Sequence, residues 1–223
     1  TKAAGRPGPY FTLRAKLLCL ENTHNAAGGT VTGPDAHAAL VQAARAAGLL
    51  VHLDGARLWH AAAALGCNLH ALTRGADTAQ VCLSKGLGAP VGSIVCGGRD
   101  AIKAARRLRK MLGGGVRQGG ILGAAGLVAL EHLARIPEDH ARAQALAAGL
   151  RALGFSLETP QTNILRVRLP DAGRAIEALR AIDVLVTPSG DAVRFVLHRD
   201  LGDADVRETL KRIAPLADRL QAI

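Results

Sequence analysis

The chain has 223 residues, enough for one large domain or two modest ones, and its 49% hydrophobic content excludes a disordered tail. Its net charge of +10 suggests a nucleic-acid binder, but one Trp, one Tyr and three Phe offer few rings on which bases could stack. No apolar run approaches the ~20 residues that a transmembrane helix needs. We therefore expect neither a nucleic acid nor a membrane as the partner.

Four cysteines, Cys19, Cys67, Cys82 and Cys96, lie singly in apolar surroundings and form no CxxC pair. This pattern is typical of reduced core cysteines in an intracellular protein. We expect a cytoplasmic location, with a mitochondrial one as the alternative. The histidines show no spacing that predicts a metal site.

Short apolar runs alternate with helical patterns in the first half of the chain. The pattern predicts strands at 16–21, 49–53 and 78–83, helices at 34–47 and 56–65, and a short helical turn at 69–73. A fourth strand, at 91–96, follows a turn too short for a helical crossover, so we expect it to be antiparallel. This order predicts a mostly parallel sheet with helices on both faces.

A basic helix at 99–112 runs into three glycines, and an almost entirely apolar helix follows at 118–134. A helix that is apolar all round is expected in the centre of a domain or in a subunit interface. Pro137 marks a boundary. Beyond it the pattern predicts helices at 138–153, 171–182 and 203–221, and strands at 163–169, 184–187 and 192–197.

This succession of elements predicts three parts of the chain. They are a divergent N-terminal segment at 1–15, the remainder of a large domain at 16–136, and a small α/β domain at 137–223.

Two chemically active residues follow predicted strands in the stretch 49–90. Asp54 comes after the strand at 49–53, and Lys85 after the strand at 78–83. Ligands of open α/β sheets bind outside the carboxyl ends of the strands, so we expect both side chains at one edge. A carboxylate and an amine there suggest pyridoxal phosphate, because the lysine binds the cofactor aldehyde and the carboxylate keeps the ring nitrogen protonated. A solvated lysine and a helix-capping aspartate are the structural alternatives.

Four blocks of the sequence closely resemble the low-specificity L-threonine aldolase family of pyridoxal-phosphate lyases. They are ENTHN at 21–25, HLDGARL at 52–58, SKGLGAPVGS at 84–93 and RKMLGGGVRQ at 109–118. The resemblance runs from about residue 16 to the C-terminus. It implies the C-terminal part of the aspartate-aminotransferase-like fold plus a small α/β domain. The family's residues upstream of the ENTHN block have no counterpart, so we expect a chain that lacks the N-terminal part of that fold.

The resemblance also implies roles for individual residues at the cofactor and the substrate. Lys85 matches the lysine that binds pyridoxal phosphate, and Asp54 the carboxylate at the ring nitrogen. Arg57 matches an arginine that lies beside the cofactor and helps to bind the substrate carboxylate. His24 matches a histidine near the substrate hydroxyl, with a loop histidine of no role as the alternative. Arg194 matches an arginine that clamps the substrate carboxylate, and a solvated strand arginine is the alternative.

Two further basic residues are implied at the cofactor phosphate. Lys110 and Arg117 match family residues that approach this phosphate from the neighbouring subunit, which implies a homo-oligomer, a homotetramer in the family. The alternative is a basic helix end and loop without that role.

The activity implied by the resemblance is retro-aldol cleavage of L-threonine or L-allo-threonine to glycine and acetaldehyde. The first alternative is an inactive truncated isoform or relic of the family that only binds a partner. A β-eliminating lyase of aromatic amino acids is the second, and it would need a pocket for an aromatic leaving group. A basic nucleic-acid binder is the third.

Overall fold

The computed structural model describes residues 9–11 and 13–222, so residues 1–8 and 12 of the predicted divergent segment lie outside the described residues. The chain divides into two compact units. Thr1–Thr23 and Thr32–Leu133 form the first, and His24–Val31 and Ala134–Ile223 form the second. The short segment His24–Val31 therefore belongs with the C-terminal unit, although the chain on both sides of it belongs to the first.

The first unit alternates strands and helices, as its sequence predicts. Its elements are β1 (Leu17–Glu21), α1 (Pro34–Ala46), β2 (Leu50–Gly55), α2 (Leu58–Leu65), α3 (Leu69–Thr73), β3 (Thr78–Cys82), β4 (Ser93–Gly97), α4 (Arg99–Met111) and α5 (Gly120–Leu130). Among the described residues the strands pair in the order β1-β2-β3-β4. Strands β1, β2 and β3 are parallel, and β4 is antiparallel to β3, so the predicted direction of the fourth strand is confirmed.

Helix α1 shows how local sequence and burial together build this unit. Pro34 occupies the first turn, where its missing N–H costs no helical hydrogen bond, and Gly48 follows with a left-handed φ of 70°. Val41 and Ala44 face inward and form one buried cluster with Leu49 and Val51 of the next segment. Burial of these apolar side chains holds α1 against β2.

The register of the sheet determines which side chains share its carboxyl edge. Asp54 pairs with Glu21 on β1 and with Gln80 on β3. Lys85 lies in the turn that follows β3. The parallel strands β2 and β3 therefore bring Asp54 and Lys85 to the same edge of the sheet.

Helix α5 does not lie in the centre of its unit. Of its residues only Gly126 and Ala129 are buried, whereas Ile121 and Leu127 are 76% and 69% exposed. Every residue of β4 is exposed as well. Of the two locations that the apolar pattern predicts for this helix, the domain centre is wrong and the subunit interface remains a prediction.

By length and composition alone, the helical stretch Gly120–Ala152 is sufficient to cross a membrane. One such helix is weak evidence, because the core helix of a soluble protein meets the same criteria. The middle of the stretch carries Glu131, Arg135, Glu138 and Asp139. Charged side chains at the centre of a bilayer are costly, so this composition argues against a membrane span.

The second unit packs helices against one face of an antiparallel sheet. Its elements are α6 (Ile136–Ala152), β5 (Ile164–Arg168), α7 (Ala172–Arg180), β6 (Thr187–Ser189), β7 (Ala192–Val196), α8 (Asp203–Ile213) and α9 (Ala217–Ala222). Its strands pair in the order β5-β7-β6. Leu150, Leu165, Val193 and Phe195 belong to its buried core.

Two predicted elements of this unit differ from the structure. The strand predicted at 184–187 is wrong: Val184 is a buried core residue outside the sheet, and β6 begins only at Thr187. The single closing helix predicted at 203–221 is interrupted by a 3-10 turn at Ala214–Leu216. Pro215 explains the interruption, because proline removes a helical hydrogen bond and crowds the preceding turn.

The segment His24–Val31 is fastened to the second unit by side-chain hydrogen bonds. Thr162 Oγ1 donates to the Gly29 carbonyl at 2.6 Å, and the Val31 N–H donates to Gln161 Oε1 at 2.8 Å. A Cβ on Gly29 would lie 2.5 Å from Thr162 Oγ1, and its φ is +75°. Glycine at this position therefore permits both the turn and the close approach.

Candidate active site

Asp54 is held at the end of β2 by two donors. Its Oδ1 accepts hydrogen bonds from Gln80 Nε2 at 2.8 Å and from the Ala56 N–H at 3.0 Å. The bond from Ala56 closes a local turn, but Asp54 does not cap α2, whose N-cap residue is Arg57, so the helix-capping alternative is wrong. The bond from Gln80 comes from the neighbouring strand. Asp54 is half-buried, so its carboxylate is fixed in direction while still in reach of a ligand.

Gln80 is a candidate site residue that the sequence patterns did not predict. It is the register partner of Asp54 and donates to the carboxylate directly. Its signal is a polar residue in the otherwise apolar run from Ala79 to Leu83, two residues before the end of the strand. A carboxamide there orients the carboxylate without adding a charge.

Lys85 lies on an exposed turn of the first unit. The Gly88 N–H donates to the Lys85 carbonyl at 2.9 Å, which closes the turn. A Cβ on the adjacent Gly86 would lie 2.3 Å from His60 Nε2, so only glycine fits between the turn and helix α2. Trp59 Nε1 also donates to the Cys82 carbonyl at 2.9 Å, which ties α2 to the end of β3. The backbone that carries Lys85 is thus fixed although its side chain is exposed.

The other predicted basic residues of the first unit lie on two different elements. Arg57 is the N-cap residue of α2, three residues after Asp54, and is half-buried. Lys110 is in the last turn of α4, and Arg117 is in the loop that follows; both are exposed. Their contribution to a phosphate site in a neighbouring subunit stays a prediction.

His24 is an exposed residue of the second unit, and one of its ring nitrogens accepts a hydrogen bond. The Ala27 N–H donates to His24 Nδ1 at 3.1 Å. A nitrogen that accepts carries no proton, so the neutral ring has its proton on Nε2. In this tautomer Nε2 is a hydrogen-bond donor.

Arg194 lies on β7 and points away from the buried Val193 and Phe195, as strand alternation predicts. Its Nε donates to Thr187 Oγ1 at 3.0 Å, and its Nη1 donates to Asn25 Oδ1 at 2.5 Å. The structure thus brings Arg194 together with the segment that carries His24. Within the residues that the structure describes, no group of three or more His, Cys, Asp or Glu side chains could hold a metal ion.

Comparison with known proteins assigns this arrangement to a class. The family model of the beta-eliminating lyases matches residues 2–185. The chain therefore belongs to the beta-eliminating lyase family, and the family resemblance drawn from the four sequence blocks is confirmed.

Individual relatives narrow the comparison. The chain is 43% identical over 212 residues to the low specificity L-threonine aldolase of Escherichia coli (strain K12). The aligned region covers 94% of this chain and 61% of that protein. Across the first relatives that it matches, the chain spans 58% to 61% of their length.

Solved structures confirm the fold class. The threonine aldolase of Leishmania major superposes with a TM-score of 0.75 at 22% identity, covering 97% of this chain and 65% of that one. An aspartate aminotransferase of Thermus thermophilus superposes with a TM-score of 0.72 at 21% identity, covering 92% of this chain and 58% of that one. The predicted aspartate-aminotransferase-like α/β fold is therefore confirmed.

Proposed function

We propose that the protein is a pyridoxal-phosphate-dependent lyase that cleaves L-threonine or L-allo-threonine to glycine and acetaldehyde. One observation carries the proposal: a carboxylate held by a neighbouring strand and a lysine on a glycine-bounded turn share the carboxyl edge of adjacent parallel strands. The relatives named as threonine aldolases supply the substrate class.

The residues of the first unit fit this cofactor chemically. Lys85 supplies the amine that the cofactor aldehyde requires, and Asp54 supplies the carboxylate that pairs with the pyridine nitrogen. Gly86 keeps the turn close to α2, where a Cβ would collide with His60. When bound, pyridoxal phosphate accepts the electron pair that is released as the substrate Cα–Cβ bond breaks.

The chain's arginines supply the recognition of the amino-acid substrate. Arg194 carries a guanidinium whose planar fork matches a carboxylate in a bidentate arrangement. Arg57, the N-cap residue of α2 and three residues after Asp54, carries a second guanidinium suited to a carboxylate. A substrate that bears an α-carboxylate is therefore preferred over an amine that lacks one.

His24 contributes to the handling of the β-hydroxyl. Cleavage requires that this hydroxyl lose its proton as the Cα–Cβ bond breaks. Because the neutral ring accepts at Nδ1, its Nε2–H donates to the hydroxyl oxygen or to a water. Because an Nε2 that carries a proton cannot accept another, we assign the hydroxyl proton to a water that His24 orients, and from that water it passes to bulk solvent.

A homo-oligomer and a cytoplasmic location are part of the proposal. The exposed apolar residues of α5 support a subunit contact, and the exposed Lys110 and Arg117 of the same unit are free to reach a neighbouring subunit. None of the four cysteines is buried, and Cys19 and Cys96 are exposed, so the core position expected for them is wrong. Their free thiols still support a reducing compartment.

The test is covalent retention of pyridoxal phosphate by the purified chain. The wild type, Lys85→Ala and the control Lys103→Ala, another exposed lysine, are mixed with the cofactor and reduced with borohydride. We expect the wild type and the control to keep one pyridoxyl group, mapped by mass spectrometry to Lys85, and Lys85→Ala to keep none.

Product analysis then separates the activities. We expect acetaldehyde and glycine from L-threonine, and no phenol from L-tyrosine. Phenol release would favour the aromatic β-eliminating lyase instead. A folded wild-type chain without a Lys85-dependent pyridoxyl group would refute the lyase and favour the inactive relative that only binds a partner.

A further inference from the structure

The polar face of the second sheet carries arginines that differ in their partners. Strand alternation places Arg166, Arg168 and Arg194 on one face, and Arg166 and Arg194 are register partners on β5 and β7. Asp191 pairs with Arg166 at 3.3 Å and with Arg168 at 3.4 Å. Arg194 instead donates to two neutral oxygens, those of Asn25 and Thr187, and no carboxylate of the described residues pairs with it. The guanidinium of Arg194 is therefore held in place, and its positive charge is not neutralised by a carboxylate of the described residues.

The geometry of these bonds leaves part of the guanidinium available. Arginine has five N–H donors. The Nε–H is used by Thr187 and one Nη1–H by Asn25. Both Nη2–H groups and the second Nη1–H remain without a hydrogen bond to the described part of the chain. A carboxylate that binds in a bidentate arrangement accepts two parallel N–H bonds from such a fork.

Asn25 is itself held in place by its loop. The Gly28 N–H donates to the Asn25 carbonyl at 3.1 Å, and the His24 N–H donates to the Thr30 carbonyl at 2.9 Å. Thr162 fastens the same loop through Gly29. The Asn25 amide oxygen is thus a fixed acceptor, which a mobile loop would not provide.

We propose that Asn25 is a positioning residue that braces Arg194 for an incoming carboxylate and ties it to His24, its neighbour in the chain. This inference rests on the proposed function only for the identity of the carboxylate, that of a β-hydroxy amino acid. An amide suits the task because it accepts from the guanidinium without cancelling its charge. An aspartate at this position would form an ion pair and compete with the substrate.

The consequence is a coupling between two contacts. Asn25 and His24 belong to one hydrogen-bonded loop, so the brace on Arg194 also determines how far the carboxylate lies from His24. Ligands that present a carboxylate and a β-hydroxyl at matching spacing are selected. Loss of the brace weakens this selection without removing either contacting group.

The first test requires no cofactor. In the ¹⁵N-labelled full chain, the signal of the Arg194 Nη1–H that donates to Asn25 Oδ1 is assigned by its loss in Arg194→Lys. We expect its exchange with solvent to rise about ten-fold in Asn25→Ala, as expected for loss of one hydrogen bond to a charged group. Asn68→Ala, which removes the same side chain from the start of α3, should leave it unchanged. Unchanged exchange in Asn25→Ala would overturn the brace.

Titration with sodium acetate tests whether the remaining N–H groups of Arg194 bind a carboxylate. Sodium chloride at equal ionic strength is the control. We expect acetate to shift the Arg194 signal, the dissociation constant to rise about ten-fold in Asn25→Ala, and the shift to vanish in Asn25→Asp. Equal binding by the three proteins, or no shift in the wild type, would overturn the proposal. Neither result depends on whether Lys85 binds pyridoxal phosphate.

In the cofactor-loaded protein the same role predicts a specific kinetic pattern. Asn25→Ala should raise the KM for L-threonine about ten-fold while kcat changes less than about two-fold. Binding of 1-amino-2-propanol, which lacks the carboxylate, should not change. Equal weakening of both ligands would indicate a general structural role and refute positioning.

Discussion

At the scale of single residues, Gly86 is a position of the candidate site that leaves no room for a side chain. Its missing Cβ would lie 2.3 Å from the ring of His60, which is buried in helix α2. Since the neighbouring helix cannot move away without loss of packing, even a methyl group here displaces the turn that carries Lys85.

We therefore predict that Gly86→Ala lowers the free energy of unfolding by about 1–3 kcal/mol, the range for overpacked sites. It should also weaken the retention of pyridoxal phosphate by Lys85. Urea denaturation followed by Trp59 fluorescence measures the first effect. The control is Gly123→Ala, where a Cβ meets nothing within 4 Å. Identical midpoints for the two variants would show that the turn adjusts freely.

Gln80 offers a second test at this scale, because it connects Asp54 to the neighbouring strand. Gln80→Leu keeps the volume but removes the donor, and we expect a roughly ten-fold weaker affinity for pyridoxal phosphate. Absorbance titration measures the affinity. Gln42→Leu, on the exposed face of α1, is the control and should bind like the wild type. Unaltered binding by Gln80→Leu would show that Ala56 alone holds Asp54.

At the scale of elements, two carboxylates respond to pH in opposite directions. Asp77 lies at the start of β3 and accepts from Arg45 at 2.9 Å and from the Val51 N–H at 2.7 Å. The hydrogen bond from Arg45, and then the one from Val51, lower the pKa of Asp77. Its ionised form therefore stabilises the junction of α1, β2 and β3. This contribution is present above the ordinary pKa of about 3.9 and is lost as the pH falls below it.

We predict that Asp77→Asn makes the first unit less stable at pH 7, with a difference that narrows towards pH 2. Because Trp59 lies in this unit, its fluorescence in urea at several pH values measures the effect. If the stability difference between Asp77→Asn and the wild type stays constant with pH, the destabilisation comes from altered packing and not from the lost charge.

Asp139, in the first turn of α6, shows the opposite case. It is 2% exposed, and burial raises its pKa, although Arg142 at 3.8 Å and His198 oppose the shift. The stability linked to its neutral form is present at low pH and is lost as the pH rises through the raised pKa.

Asp139→Asn should therefore stabilise the second unit at pH 7, and the gain should disappear below about pH 4. Amide hydrogen exchange within α6 measures this stabilisation of the second unit. A destabilised variant at pH 7 would show that the pairing with Arg142 outweighs the cost of burial.

The elements also show what local sequence can predict. Helix α1, strand β3 and the antiparallel β4 follow from apolar periodicity, proline and glycine positions and turn length, all of which act within a few residues. The role of Gln80 and the attachment of His24–Val31 to the second unit do not. They depend on side chains that meet across 26 and 133 positions of sequence, and no local pattern contains such contacts.

Val184 illustrates the same limit within one element. Its apolar run predicts a strand, but the side chain is buried in the core of the second unit outside the sheet. Apolar periodicity reports burial, and burial alone does not distinguish a strand from an extended core segment.

At the scale of the whole molecule, the exposed apolar residues of α5 predict self-association. Covering Ile121 and Leu127 removes apolar surface from water, which stabilises an oligomer. Sedimentation velocity should show a species larger than the 23.1 kDa chain. The double variant Ile121→Lys, Leu127→Lys should shift it to the monomer. Leu185→Lys, at an equally exposed position of the second unit, should not. A monomeric wild type would contradict the prediction.

The assignment of His24–Val31 to the C-terminal unit has a consequence for synthesis on the ribosome. Thr162 follows Gly29 by 133 residues, which at about 5–20 residues per second corresponds to a delay on the order of ten seconds. During that delay the nascent loop has no Thr162 or Gln161 to fasten it, and Asn25 has no Arg194. The loop that carries His24 is therefore made early and fixed late, after the strands on either side of it have had time to pair.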